Sequence, residues 1–86
     1  MKINKKDFVE AGKSIQMSPG EMIRTLRELK GWTQVKLAEE TGISQANISA
    51  IENDRVEIGK QRSITIASTL NVHPASIMFA DYSEAA

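Results

Sequence analysis

Eighty-six residues suffice for one small domain and are too few for two independent cores. With 41% hydrophobic and 26% charged residues the chain has globular composition, and the absence of cysteine excludes disulfides, thiolate metal sites and cysteine nucleophiles. Eleven basic residues cancel eleven acidic ones, so any affinity for nucleic acid must come from where charges sit and not from their sum.

The opening stretch MKINKKDFVEAGKS has no apolar signal-peptide core, and no apolar run approaches the roughly 18 residues a membrane span needs; a reducing, cytoplasmic setting is the expectation. Charge is uneven. Met1 to Leu37 holds eight Lys/Arg against four Asp/Glu, whereas Ala38 to Glu57 holds five acids and only Arg55. Residues 1–17 read as an N-terminal arm. Asn4 is a possible cap for a short helix through Phe8 and Val9 to Gly12, with Ile15 and Met17 as an extended lead-in.

The domain proper, 18–80, is punctuated for helices. Ser18-Pro19-Gly20-Glu21 has an N-cap serine, proline at the first helical position and a glutamate completing a capping box. Met22, Ile23, Leu26 and Leu29 follow at helical spacing until Gly31. Thr33 caps a second helix, Gln34 to Thr41, with Val35, Leu37 and Ala38 apolar and Gly42 as its stop. Ser44 caps a third from Gln45 to about Asn53, carrying Ile48 and Ile51. A fourth runs from about Lys60 to Leu70 with Ile64, Ile66, Ala67 and Leu70; the β-branched run Ser63-Ile64-Thr65-Ile66 fits the helical period better than a strand. After Asn71, His73-Pro74 restarts a short fifth helix through Ile77, Met78 and Phe79. Residues 81–86 form a tail. The expectation is an all-α fold.

The informative stretch is Thr33 to Asn53, two short helices joined by a glycine-containing turn. Counting Gln34 as first, Ala38 is fifth, where the second helix of the pair crosses close and a small residue is needed. Gly42 is ninth and supplies the left-handed turn. Ile48 and Ile51, fifteenth and eighteenth, fix the second helix on the first. With those isoleucines inward, the helical period turns Ala46, Ser49, Ala50 and Asn53 outward, with Gln45 on the flank.

This pattern resembles the helix-turn-helix of the phage Cro and repressor (XRE) family, down to the TQ-x-x-LA opening and the IS-x-x-E close. The likeness runs without gaps from Ser18 to Phe79. It implies a five-helix, lambda-repressor-like DNA-binding domain whose exposed face enters the major groove. There Gln45 can pair with adenine, Ala46 and Ala50 can touch a thymine methyl, and Ser49 can donate or accept. Ser44 and Asn47 belong to the same expected DNA-binding set. By the same resemblance Gln34 contacts phosphate and braces Gln45. Asn53 and Arg55 look like phosphate contacts, and Lys60 adds another at a helix N-terminus. The competing reading makes all of these ordinary polar surface.

The resemblance also assigns Glu52 to a structural ion pair with Arg27, in place of a catalytic role. Glu39-Glu40 reads as a solvated face, because adjacent helical residues diverge. Trp32 falls where the family packs an apolar residue, and a lone His73 makes a poor metal site. No nucleophile with base and orienting partner is legible, nor any glycine-rich phosphate loop, so neither enzyme activity nor a cofactor is expected.

Two departures from the general pattern stand out. Asp54 replaces the usual glycine after the recognition helix, where aspartate tolerates a left-handed backbone and its charge is expected to weaken binding. Lys60 and Ser63 replace apolar residues, with Ile58 and Ile64 as candidates to fill the gap. The opening Ser18 to Ile23 and the run Ser63 to Ala67 resemble HigA-type antitoxins, which repress their own operon and neutralise a RelE/HigB-like ribonuclease toxin. The resemblance therefore implies a repressor acting as a homodimer on a two-fold symmetric operator in double-stranded DNA. Ile77, Met78, Phe79 and Tyr82 form the expected dimer surface, and the arm at 1–17 is a possible toxin or dimer element. A phage-type repressor, a restriction–modification controller or a purely protein-neutralising module are the alternatives.

Overall fold

A computed structural model describes residues 17–80, in which five helices follow one another: α1 (Pro19–Leu29), α2 (Gln34–Thr41), α3 (Gln45–Glu52), α4 (Lys60–Leu70) and α5 (Pro74–Met78). The described residues contain no strand. The third helix stops one residue short of the expected end, with Asn53 as its C-cap. The arm up to residue 16 and the tail lie outside the described residues.

The capping residues act as the sequence suggests. Ser18 Oγ accepts from the Glu21 N–H at 3.0 Å while Glu21 Oε1 accepts from the Ser18 N–H at 3.1 Å, a reciprocal box that closes the start of α1. Thr33 and Ser44 cap α2 and α3 by accepting from the Lys36 and Asn47 N–H groups. His73 Nδ1 does the same for α5 through Ala75 N–H. Gly42 ends α2 at φ 80°.

After α3 the chain turns through Asp54 at φ 58°, with the Asp54 and Arg55 N–H groups donating to Ile51 and Ala50 carbonyls. Such an end usually needs glycine, and aspartate is among the few L-residues that adopt it readily.

Ile23, Leu37, Ile48, Ile51, Ile66, Ala67, Leu70 and Ile77 make the core, with Met22, Leu26, Trp32, Ala38, Ile43, Ile58 and Val72 packed against it. Each fully buried isoleucine or leucine contributes about 1.5–3 kcal/mol relative to exposure. Helix α3 lies against both α1 and α2, and α5 folds back onto α4 and α1. Helix α3 is thus braced from two sides.

Four apolar assignments change. Leu29 is 78% exposed. It lies six residues past Ile23, about 120° round the helix from that core residue at roughly 100° per residue. The buried arc of α1 instead includes Gly20, Ile23 and Arg27. Val35 and Ile64 are also exposed, because Leu37 and Ile66 take the inward positions on their helices. Ile58 does pack on the core. Ser63 needs no apolar replacement: fully buried, it donates its hydroxyl to the Gly59 carbonyl at 2.8 Å. Ile77, expected on a dimer surface, is fully buried within the protomer because the return of α5 turns it inward.

Candidate nucleic-acid interface

The outward face of α3 follows from Ile48 and Ile51 being buried. Gln45, Ala46 and Asn47 are exposed at its N-terminal end, Ser49 and Ala50 are half-buried, and Asn53 is exposed at its close. Ser44 is exposed, but its hydroxyl already caps the helix. No residue on this face is ionised, so base edges would meet amides, a hydroxyl and two methyl groups.

Arg55 and Asn53 converge on Ser49. Asn53 Nδ2 donates to the Ser49 carbonyl at 2.9 Å and lies 3.5 Å from its Oγ, and Arg55 Nη2 reaches the same Oγ at 3.4 Å. The candidate phosphate contacts and the candidate base contact therefore form one connected patch. Lys60 is exposed as the first residue of α4, whose cap Gly59 offers no side chain to the free amides.

Beneath this face lies a buried polar node. Arg27 Nε donates to Glu52 Oε2 at 2.6 Å and Nη2 to Oε1 at 3.0 Å, while Nη1 donates to the Trp32 carbonyl at 2.8 Å. Glu52 is 1% exposed and Arg27 8%. The hydrogen bonds to Glu52 hold the Arg27 guanidinium above its ordinary range despite opposing desolvation, and the charges of Glu52 and Glu28 add to the effect. Two-point pairing between α1 and the last residue of α3 fixes the pitch of the recognition helix.

Gln34, at the first position of α2, donates from Nε2 to Glu52 Oε1 at 3.0 Å. It is tied to the buried carboxylate and makes no bond to Gln45, a connection that the resemblance did not provide.

Asp54 takes the left-handed backbone as expected and adds contacts that the sequence did not suggest. Its carboxylate accepts from Ser18 Oγ at 2.6 Å and from the Gly20 N–H at 3.2 Å. The carboxylate faces the positive end of α1, and the loop after α3 is clamped to the start of α1. Gly20 has its own reason for being glycine. A Cβ there would fall within 3 Å of the Ile51 and Glu52 carbonyl oxygens and of Asp54 Oδ1. These contacts join residues more than thirty positions apart, and no local pattern signals them.

The sequence profile of the helix-turn-helix family matches residues 23–77. The chain belongs to that family, in its XRE (Cro/repressor) branch. Among solved structures it is similar to a hypothetical transcription factor, NHTF, from Neisseria: 28% identity, a TM-score of 0.67, 70% of this chain and 69% of that one. No curated protein gives a significant match to the chain.

This helix-turn-helix protein is a DNA-binding transcriptional regulator and not an enzyme. Among the described residues no helix is long and apolar enough to cross a membrane, and no cluster of metal-ligating side chains occurs. Trp32 packs against the core as expected, with the Lys30 and Lys36 ammonium groups over its ring at 5.1 and 5.7 Å.

Proposed function

We propose that this regulator is a repressor that binds a two-fold symmetric operator as a homodimer, reading each half-site with the exposed face of α3. The observation that carries the reading is the rigid placement of that face. Helix α3 is capped by Ser44, its end is held by the Arg27–Glu52 pair and the Asp54 clamp, and Gln45, Ala46, Asn47, Ser49 and Ala50 line the outer side. Gln34, Asn53, Arg55 and Lys60 are the proposed phosphate contacts. Eight residues of recognition helix span only a few base pairs, so two copies about one helical turn (roughly 34 Å) apart give adequate discrimination. Repression is then steric, by occupation of the promoter.

With Ile77 in the core, the proposed dimer surface contracts to Met78 and Phe79; Tyr82 lies outside the described residues. Phe79 is half exposed, and Met78 lines an open groove of about 460 Å³ together with Val56 and Ile58. The HigA-type resemblance supports a further role as the antitoxin of a RelE/HigB-like toxin. The same motif has packing reasons of its own, since Ser18 and Glu21 close a capping box and Gly20 admits a close helix crossing.

Selection of bound sites from a random DNA library tests the central reading. A two-fold symmetric motif with helical-turn spacing is the expected outcome; an asymmetric single site, or no enrichment at low salt, overturns it. Co-purification with the product of an adjacent small reading frame tests the antitoxin role.

A further inference from the structure

Glu52 carries three hydrogen bonds on two oxygens, and only two come from its ion-pair partner. The third comes from Gln34, which is half-buried at the start of α2, on the rim of the proposed DNA face. One Gln34 amide hydrogen points inward to Oε1; the other amide hydrogen and the Gln34 carbonyl oxygen take no partner among the described residues. An unrestrained surface glutamine samples many rotamers, and ordering one on binding costs affinity. Here an otherwise inaccessible carboxylate holds the side chain, and Arg27 in turn fixes that carboxylate through a two-point contact.

We infer that Glu52 is a positioning residue for DNA binding, acting through Gln34: the Arg27–Glu52 pair presets the Gln34 amide so that its free polar atoms face the DNA backbone. The inference rests on the reading of Gln34 as a phosphate contact. It assigns the buried pair a part in affinity that its role in folding does not require, and makes Gln34 the link between core and interface.

Nuclear magnetic resonance of the full chain without DNA provides the first test. One Gln34 side-chain amide hydrogen should exchange more slowly with solvent than its geminal partner and resonate downfield of the usual glutamine range; a pair at ordinary glutamine positions, both exchanging fast, overturns the inference. The second test measures affinity for the selected operator with Gln34→Ala, with the apolar pair Arg27→Met/Glu52→Met, and with all three changes, each shown to be folded by its melting curve. Freeing Gln34 in the apolar pair should weaken binding about 3- to 10-fold per half-site. In the Gln34→Ala background the same pair of changes should cost nothing further. An equal loss in both backgrounds means that the pair acts only by shaping α3, and overturns the inference. Wild-type affinity for Gln34→Ala itself removes the phosphate-contact reading beneath it. Should the apolar pair not fold, the amide exchange result decides.

Discussion

Replacing Gly20 with alanine should destabilise the domain, against the usual sign for a glycine-to-alanine change in a helix. The added Cβ would lie within 3 Å of two backbone carbonyl oxygens at the end of α3 and of the Asp54 carboxylate. Backbone cannot swing aside as a side chain can, so α1 and α3 must separate, at a cost of about 1–3 kcal/mol. Separation also stretches the 3.2 Å bond from the Gly20 N–H to Asp54, worth up to about 1.5 kcal/mol or more with a charged acceptor. Against this, alanine restricts the unfolded chain and returns about 0.4–1 kcal/mol. The balance is a loss of about 1–3 kcal/mol, or a fall in Tm of roughly 5–20 °C for a domain of this size. Thermal and urea unfolding followed by circular dichroism measure it. A Gly20→Ala protein melting at or above the wild type would refute the close-crossing argument and reduce Gly20 to an ordinary first-turn residue.

Arg27→Met leaves the Glu52 carboxylate buried without its counter-charge and should cost about 3–5 kcal/mol in denaturant titration, whereas Arg27→Met/Glu52→Met should recover most of it. The folded-state pKa of Arg27 is raised, so its contribution is complete below the ordinary guanidinium range and lost only as pH rises through the higher folded value; the gap between wild type and Arg27→Met should owe no change to Arg27 titration between about pH 6 and pH 9. Gln45→Ala should cost about 1–3 kcal/mol at the selected operator and relax preference at one base pair, as seen by repeating the site selection; a uniform loss across sequences refutes base contact. Arg55→Ala should weaken all sites alike and reduce the slope of log K against log salt by about one per copy. At Asp54, glycine eases the left-handed turn but loses the clamp, while alanine loses both, so the melting order should be wild type, then Asp54→Gly, then Asp54→Ala; Asp54→Gly melting above wild type would show that the Ser18 and Gly20 contacts are worth less than the strain of the turn.

What could be read from the sequence was what neighbours decide. Ser18, Thr33 and Ser44 cap helices because an oxygen three residues before an amide suffices, and Gly42 stops one because its own backbone permits it. The inward pair Ile48 and Ile51 orients α3 and thereby exposes Gln45, Ala46 and Asn47. Leu29 keeps the apolar period but misses the buried stripe, whose centre is set by Arg27, a charged residue buried only because Glu52 meets it. Ile77 turns inward only through the return of α5 onto α1, which is tertiary information. The Gln34–Glu52 and Asp54–Ser18 bonds join residues 18 and 36 positions apart. Residue type offers each of these side chains many partners, and only the packed helices choose among them.

The balance of charge acquires a meaning once the contacts are assigned. Arg27 and Glu52 neutralise one another in the interior, Lys36 is paired with Glu40 at 3.0 Å, and Asp54 is turned to the start of α1. Glu52 is the only acid in α3 and faces inward, so the outer side of that helix keeps no charge to repel phosphate and none to attract it indiscriminately. The cations at its margin are exposed, Arg55 just past its end and Lys60 at the next helix, and these are the groups proposed to meet the backbone. Phosphate contacts position a protein on DNA and base contacts specify the site. If the proposed contacts hold, non-specific affinity should be low and discrimination should rest on the neutral groups of α3. Because one such helix would read few base pairs, the proposed reading calls for paired copies on a symmetric site and not for a single domain held by charge.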